Sequence, residues 1–193
     1  MCGRYYIEID EDEMLEIIRE VQRKADRPEQ LVRTGEIFPT NIAPVMVSEH
    51  DFRSMKWGFL RYDGKGHVIN ARSETVYEKS MFRKPLFEGR CLIPASNYFE
   101  WLTDEHGKKH KYAIKTATPV SYMAGLYRSE KGNDIPTFVI LTKAAAPEIE
   151  FIHNRMPVIL DKAAQISWLS GNIDGVFDNS MPPHKYEKVA KID

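Results

Sequence analysis

The chain has 193 residues, 42% hydrophobic and 28% charged, the proportions of a globular protein able to bury a core in one domain spanning 1–193 without help from disulfides or metals. Its formal net charge of −1 excludes a global basic field, so any affinity for nucleic acid must come from Lys and Arg clustered on one face. Two cysteines, Cys2 and Cys91, make neither a disulfide framework nor a Cys-x-x-Cys zinc pattern. Glu8, Asp10, Glu11, Asp12 and Glu13 precede any apolar run and no stretch approaches the length of a membrane span, which together point to a cytoplasmic protein with no membrane contact.

Residues 3–9 alternate and are rich in Tyr and Ile, which predicts a strand leading Cys2 into the fold. Asp10 and Glu13 have capping-box spacing, and Met14, Ile17, Ile18 and Val21 recur at helical spacing, so 11–25 reads as an amphipathic helix. A charged loop over 26–35 follows. Short strands are expected at 37–38, 45–47, 52–60 and 67–71, then one or two helical turns over 73–87, stopped around Pro85 and Gly89. The apolar and aromatic run 91–102, broken by Pro94, joins 111–115 through the turn 104–107, and 121–127 with 136–141 repeats that hairpin around 131–134. Residues 146–152 read as helical, 157–160 as extended, 162–169 as helical and the tail as a last polar strand. The class is α+β, with a mainly antiparallel, curved or barrel-like sheet and peripheral helices.

Cys2 stands directly behind Met1. Removal of Met1 would leave a 1,2-aminothiol, whose amine condenses with an aldehyde to an imine and whose thiol closes on that carbon as a five-membered thiazolidine. With unperturbed pKa values of about 7.7 to 8.0 and about 8.5, both groups are partly deprotonated near neutral pH. The other reading of Cys2 is a buried cysteine at a strand start. Asn70 and Arg72 share a strand face after Val68 and Ile69, either to hold a polar group or to form a turn in which Ser73 caps the next helix and Arg72 pairs with an acid. Glu100 lies among aromatic neighbours, where desolvation would raise its pKa toward that of a useful acid or base, unless strand alternation turns it to solvent. His153 suits proton transfer near neutral pH, or is merely hydrogen-bonded. Trp57 beside Gly58 can offer a flat face to a ligand or fill the core. His106 and His110 lie across a turn, and no metal site is expected.

Met-Cys-Gly-Arg at 1–4, Trp57-Gly58, Asn-Ala-Arg-Ser-Glu-Thr at 70–75, Arg-Cys-Leu-Ile-Pro-Ala at 90–95 running to Phe-Glu-Trp at 99–101, Gly125-Leu126 and Ile-His-Asn-Arg-Met-Pro-Val at 152–158 closely resemble, in order, the SOS-response-associated peptidase (SRAP) family. The resemblance implies a sensor of abasic sites in single-stranded DNA that crosslinks itself to the ring-opened sugar aldehyde through Cys2. Removal of Met1, a step for which the family's peptidase name makes the protein itself a candidate, would come first, and neither metal nor organic cofactor is needed. It assigns Cys2 as nucleophile, Glu100 to ring opening and proton transfer, His153 to acid or base work at the sugar oxygens and Asn70 to holding the Cys2 end or the sugar. Arg4, Arg72 and Arg155 would bind flanking phosphates and Trp57 would stack on a base. Asn97 departs from the pattern, since the family usually has glycine there. The expected protein is a monomer, associated with the nucleoid when bound to DNA. Two other readings fit the same residues: a cysteine peptidase or amidohydrolase using Cys2, His153 and Glu100, and a single-strand-binding module without chemistry.

Overall fold

The computed structural model describes residues 2–173, 175–177, 181–183 and 185–190. Strand β1, Arg4–Ile7, turns Tyr5 and Ile7 into the core by simple alternation. Helix α1, Asp12–Lys24, buries Met14, Ile17, Ile18 and Val21, as its periodicity requires. Its N-cap is Glu11 with no side-chain cap bond, so the Asp10–Glu13 capping box does not form. Glu13 is drawn away instead, its carboxylate accepting the Tyr122 hydroxyl at 2.7 Å.

The charged loop holds one short 3-10 turn, Pro28–Gln30, before β2, Gly35–Ile37. Strands β3, Ile42–Ser48, and β4, Asp51–Trp57, form a hairpin. The expected strand 52–60 breaks at Gly58, whose φ of 117° lies where side-chain-bearing residues are strained; β5, Phe59–Leu60, then pairs with β6, His67–Val68. After β7, Asn70–Arg72, comes helix α2, Ser80–Glu88, which runs through Pro85 and stops at Gly89. The run 91–102 divides at Ser96 rather than Pro94, into β8, Arg90–Ala95, and β9, Asn97–Thr103. Pro94 stays within β8, opposite Tyr122.

Strands β10, Lys109–Lys115, β11, Ser121–Arg128, and β12, Thr137–Ala144, follow. Residues 147–152 are turns, not the helix their composition suggests. Ala144 of β12 pairs with Arg155 of β13, Arg155–Pro157, in antiparallel register, so the segment between them reverses the chain; its i→i−4 bonds, Glu150 N–H to Ala146 O and His153 N–H to Ile149 O, stay isolated among tighter turns. The chain continues through β14, Ile159–Leu160, to helix α3, Lys162–Ser170, capped by Asp161, and ends its described part in β15, Lys185–Lys188.

The pairings β12–β4–β3–β8–β11–β12 close a ring within an eight-stranded sheet, in which only the β12–β4 and β12–β7 contacts are parallel. A five-stranded antiparallel sheet, β15-β10-β9-β1-β2, carries the N-terminal strand in its interior. The architecture is thus α+β, with a barrel-like, mainly antiparallel sheet and peripheral helices.

Trp57 sits in the core between these sheets, fully buried, and cannot stack on a base as expected. Its ring lies 5.2 Å from that of Tyr5 on β1 and 6.3 Å from Phe138 on β12, and its indole N–H donates to Ile69 O at 3.0 Å. Trp57→Ala should therefore lower stability by about 3 to 5 kcal/mol through the cavity it leaves. Thermal melting checks this; a melting temperature like wild type would contradict the packing role.

Candidate active site at the N-terminal cysteine

Cys2 lies just before β1, and β1 is held on both sides, by β2 through Tyr5↔Ile37 and by β9 through Tyr5↔Tyr98. The residue is completely buried, and its thiol donates weakly to Arg4 O at 3.7 Å. Asn70 opens β7, whose position is set by parallel pairing with Ile140 and by the Trp57 bond to the preceding carbonyl. From there its side-chain N–H donates to Cys2 O at 2.9 Å. The other amide atom of Asn70, its buried Oδ1, finds no hydrogen-bond partner among the described residues.

Glu100 is in mid-β9 and 2% exposed, so alternation turns the carboxylate inward and Trp101 outward. Burial pushes its carboxyl up to about 7. Burial, followed by the nearby Glu100 charge, raises the Cys2 thiol far above its ordinary value. His153 leaves the turns that follow β12; its Nδ1 accepts the Arg155 backbone N–H at 3.0 Å, which puts the proton of the neutral ring on Nε2. Burial lowers the histidine's pKa, so near neutrality it is an uncharged donor.

Glu100 and His153 line an open cavity of about 610 Å³ together with Gly3, Arg4, Pro39, Trp101, Thr103 and Lys109; Cys2 lies buried behind it, next to Gly3, and Asn70 behind Cys2. Pro39 is held at its rim by a tight turn in which Phe38 N–H bonds to Asn41 Oδ1 and Thr40 adopts a left-handed φ of 73°, an uncommon conformation for a β-branched residue. Arg4 at the cavity wall bonds to Glu36 at 2.9 Å and lies 3.7 Å over the Phe38 ring. An acid of shifted pKa, a neutral imidazole, a held chain end and a basic, aromatic rim suit the arrangement to proton transfer on a polar substrate at Cys2.

Of the residues singled out in the sequence, Cys2, Arg4, Asn70, Glu100 and His153 converge here. Arg72 is exposed and lies in an adjoining groove with Arg61 and Lys79, which Asn70 also lines. Arg155 is not a free phosphate ligand: both its terminal nitrogens engage Glu74, at 2.5 and 2.8 Å, and one also reaches Thr142 O at 2.7 Å. Arg155 holds Glu74 down to about 2, so this clip between β13 and the turn after β7 persists through ordinary pH. Trp101, Pro39, Thr103 and Lys109 were missed. Trp101 could have been found by alternation, because placing Glu100 inside turns its neighbour outside; Pro39 and Lys109 are brought to the cavity only by the turn at 38–41 and the β9–β10 hairpin. Asn97, fully within β9, leaves its buried Oδ1 without a hydrogen bond.

A buried cysteine whose carbonyl is held by Asn70, beside an inward glutamate on a closed, mainly antiparallel sheet, is the feature that sets this α+β fold apart. The chain belongs to the SOS response associated peptidase (SRAP) family, which it matches over residues 1–189. It is 33% identical over 188 residues to abasic site processing protein YoqW of Bacillus subtilis, covering 88% of this chain and 80% of that protein. Abasic site processing protein YedK of Escherichia coli is 29% identical over 189 residues, with 91% and 82% covered. A crystal structure of a protein from Bacteroides thetaiotaomicron shares the fold with a TM-score of 0.77 at 22% identity, covering 98% of this chain and 92% of that one. Among the described residues no helix is long and apolar enough to cross a membrane, and no three His, Cys, Asp or Glu side chains gather as metal ligands. Met1, whose removal would free the Cys2 amine, lies outside the described residues.

The raised Glu100 pKa fixes the sign of a pH effect. Below about 4.5 both folded and unfolded chains hold the proton, whereas between about 4.5 and about 7 only the folded chain does, so stability falls as pH rises through that window. The loss should be on the order of 3 kcal/mol. Glu100→Gln removes this titration, so its stability advantage over wild type should grow between those limits and level off above them. Parallel denaturation curves across the window check this; an advantage that does not change with pH would show that Glu100 is not a buried carboxyl of raised pKa.

Proposed function

We propose that this protein recognises abasic sites in single-stranded DNA and captures them as a thiazolidine at Cys2. The observation that carries the reading is the Asn70 bond to Cys2 O, which holds Cys2 directly before Gly3 and Arg4, two residues that line a cavity with Glu100 and His153 large enough for a base-less sugar. An ordinary structural cysteine needs no such clamp. The names of the relatives, abasic site processing proteins, support the same substrate.

In this reading Met1 is first removed, by the same site in the manner the family name suggests, and the Cys2 amine is exposed. Protonated Glu100 opens the sugar ring by giving a proton to the ring oxygen as the C1′ hydroxyl releases its proton to water and becomes the aldehyde, water returning that proton to the nitrogen at ring closure, while His153 Nε2–H bonds a sugar hydroxyl and Asn70 holds the Cys2 carbonyl. The amine attacks the C1′ aldehyde and water leaves, giving an imine. Burial keeps the thiol protonated at this stage, so the amine reacts before the sulfur. Sulfur then adds to the imine carbon as its proton passes to the Glu100 carboxylate and the nitrogen takes up a proton; no oxidant or reductant is needed. A carboxyl titrating near 7 serves both in donating and in accepting. Pro39 and Trp101 form a rim over which an unpaired strand can splay its bases, and half-exposed Trp101 takes the stacking role first given to Trp57. Arg4 and Arg72 contact phosphates on either side of the lesion. One copy of the chain supplies every group, so a monomer suffices.

A thiol-imidazole hydrolase is less well supported. The Cys2 thiol donates to Arg4 O and His153 Nδ1 is taken by the Arg155 amide, so the pair is not arranged as nucleophile and base.

Two experiments test the proposal. Acetylating the Cys2 amine, or retaining residues before it, should abolish a denaturation-resistant adduct with an abasic oligonucleotide although the thiol remains; an adduct on denaturing electrophoresis from the blocked protein would refute the thiazolidine. Glu100→Gln should keep binding but slow adduct formation about 10²- to 10⁴-fold, the usual contribution of general acid-base catalysis. A rate within about threefold of wild type, far below that contribution, would remove Glu100 from the chemistry.

A further inference from the structure

A row of four inward side chains crosses the five-stranded sheet near Cys2. The register sets Ile37 of β2 opposite Tyr5 of β1, Tyr5 opposite Tyr98 of β9, and Tyr98 opposite Ile114 of β10. Tyr98 is 2% exposed and the other three are fully buried. Isoleucine closes the row at each end, and neither tyrosine hydroxyl has a hydrogen-bond partner among the described residues, not even the other hydroxyl. Phenylalanine would fill either place without leaving a buried donor unbonded, so packing alone does not account for the two oxygens.

Both hydroxyls lie in the field of the Cys2 sulfur. Burial raises each tyrosine well above its ordinary pKa and the Cys2 charge raises both further; for Tyr98 the charge of Glu100, two residues along on the same strand face, comes next. Near neutral pH they are therefore uncharged O–H donors. The resting sulfur makes no use of them, since it keeps its proton and turns it to Arg4 O. Neither tyrosine lines the open cavity, so neither is placed to touch a sugar there.

We propose that Tyr98 and Tyr5 are a donor pair for the Cys2 sulfur, bonding it as it turns from Arg4 O and takes on negative charge during closure of the thiazolidine. This rests on the reading of Cys2 as the crosslinking residue and adds two positioning groups to its second step. In that step the S–C1′ bond forms, the C=N double bond becomes single as nitrogen takes up a proton, and the thiol proton passes to the Glu100 carboxylate. A sulfur losing its proton there is opposed by burial and by the like charge of Glu100, the two effects that hold the thiol up at rest. Neutral donors fixed in place offset both. Because they are unsatisfied until the charge develops, their bonds favour the transition state over the resting thiol. Tyr98 feels both Cys2 and Glu100 and carries the larger share.

The test uses protein freed of Met1 and carrying Tyr98→Phe, Tyr5→Phe or both, which delete only the hydroxyls. Formaldehyde is the probe, so no DNA is involved; reactions are quenched with borohydride at intervals and the tryptic peptide Cys2–Arg4, which holds no lysine, is weighed. Borohydride reduces an imine to an amine heavier by two hydrogens than the closed ring, which it leaves intact. Tyr98→Phe should capture the aldehyde at the wild-type rate but close the ring about 10- to 100-fold more slowly, the range of a hydrogen bond to a charged group. Reduced imine then replaces the ring at early times. Tyr5→Phe should slow closure less and the double variant most, with melting temperatures no lower than wild type, since an unbonded donor is lost. Wild-type partition between imine and ring in the double variant would overturn the proposal, as would a clear fall in melting temperature, the sign of hydroxyls already bonded in the resting fold. Slower closure on formaldehyde, alongside a wild-type protein that forms no adduct with abasic DNA, would defeat the abasic-site reading and leave the donor pair standing.

Discussion

The hydrogen bond from Asn70 to the Cys2 carbonyl is the constraint on which the reactive end of this protein depends. A chain terminus ordinarily frays, because ordering each backbone unit costs about 1 to 2 kcal/mol. Here β1 is inserted between β2 and β9, and the Asn70 amide fixes the Cys2 carbonyl, which those ladders do not reach. Asn70 in turn depends on Trp57, which bonds the carbonyl just before it while packing on Tyr5 of β1. One core side chain therefore sets both partners of the clamp. This is why the tryptophan matters to the site although it never meets solvent.

Burial does two opposed things at Cys2. It disfavours the thiolate, which lowers the reactivity of the sulfur, and it keeps Glu100 protonated to near neutral pH, which supplies an acid. An isolated cysteine nucleophile would be poorly served by that environment. A thiol that acts second, after an amine has already formed the imine, is well served by it. The same burial costs stability, since a carboxyl that cannot ionise in the fold but ionises freely in the unfolded chain favours unfolding as pH rises.

Basic residues near the site divide by what already holds them. Arg155 is spent on Glu74 and Thr142, tying β13 to the turn after β7 and so fixing the start of β13, two residues beyond His153. Arg4 and Lys111 share Glu36 and cover aromatic rings. Arg72 is exposed in a groove with Arg61 and Lys79, and Lys109 and Arg4 line the cavity itself. Arg155 thus serves the scaffold alone, whereas Arg4 both braces Glu36 and faces the cavity.

Local pattern was enough for the elements whose burial follows a period. The α1 stripe of Met14, Ile17, Ile18 and Val21, the alternation in β1 and the hairpin between β9 and β10 are all written in residue spacing. The residues proposed to react, Cys2, Asn70, Glu100 and His153, could be singled out too, because each is a chemically distinctive group in an ordered run of motifs. Spacing could not decide which face of β9 looks inward, and that choice puts Glu100 in the core and Trp101 at the rim. Nor could it show that 147–152 reverse the chain between paired strands or that Glu74 lies within reach of Arg155. Those outcomes depend on contacts between residues far apart in the chain, whereas periodicity reports only which side of its own element a residue occupies.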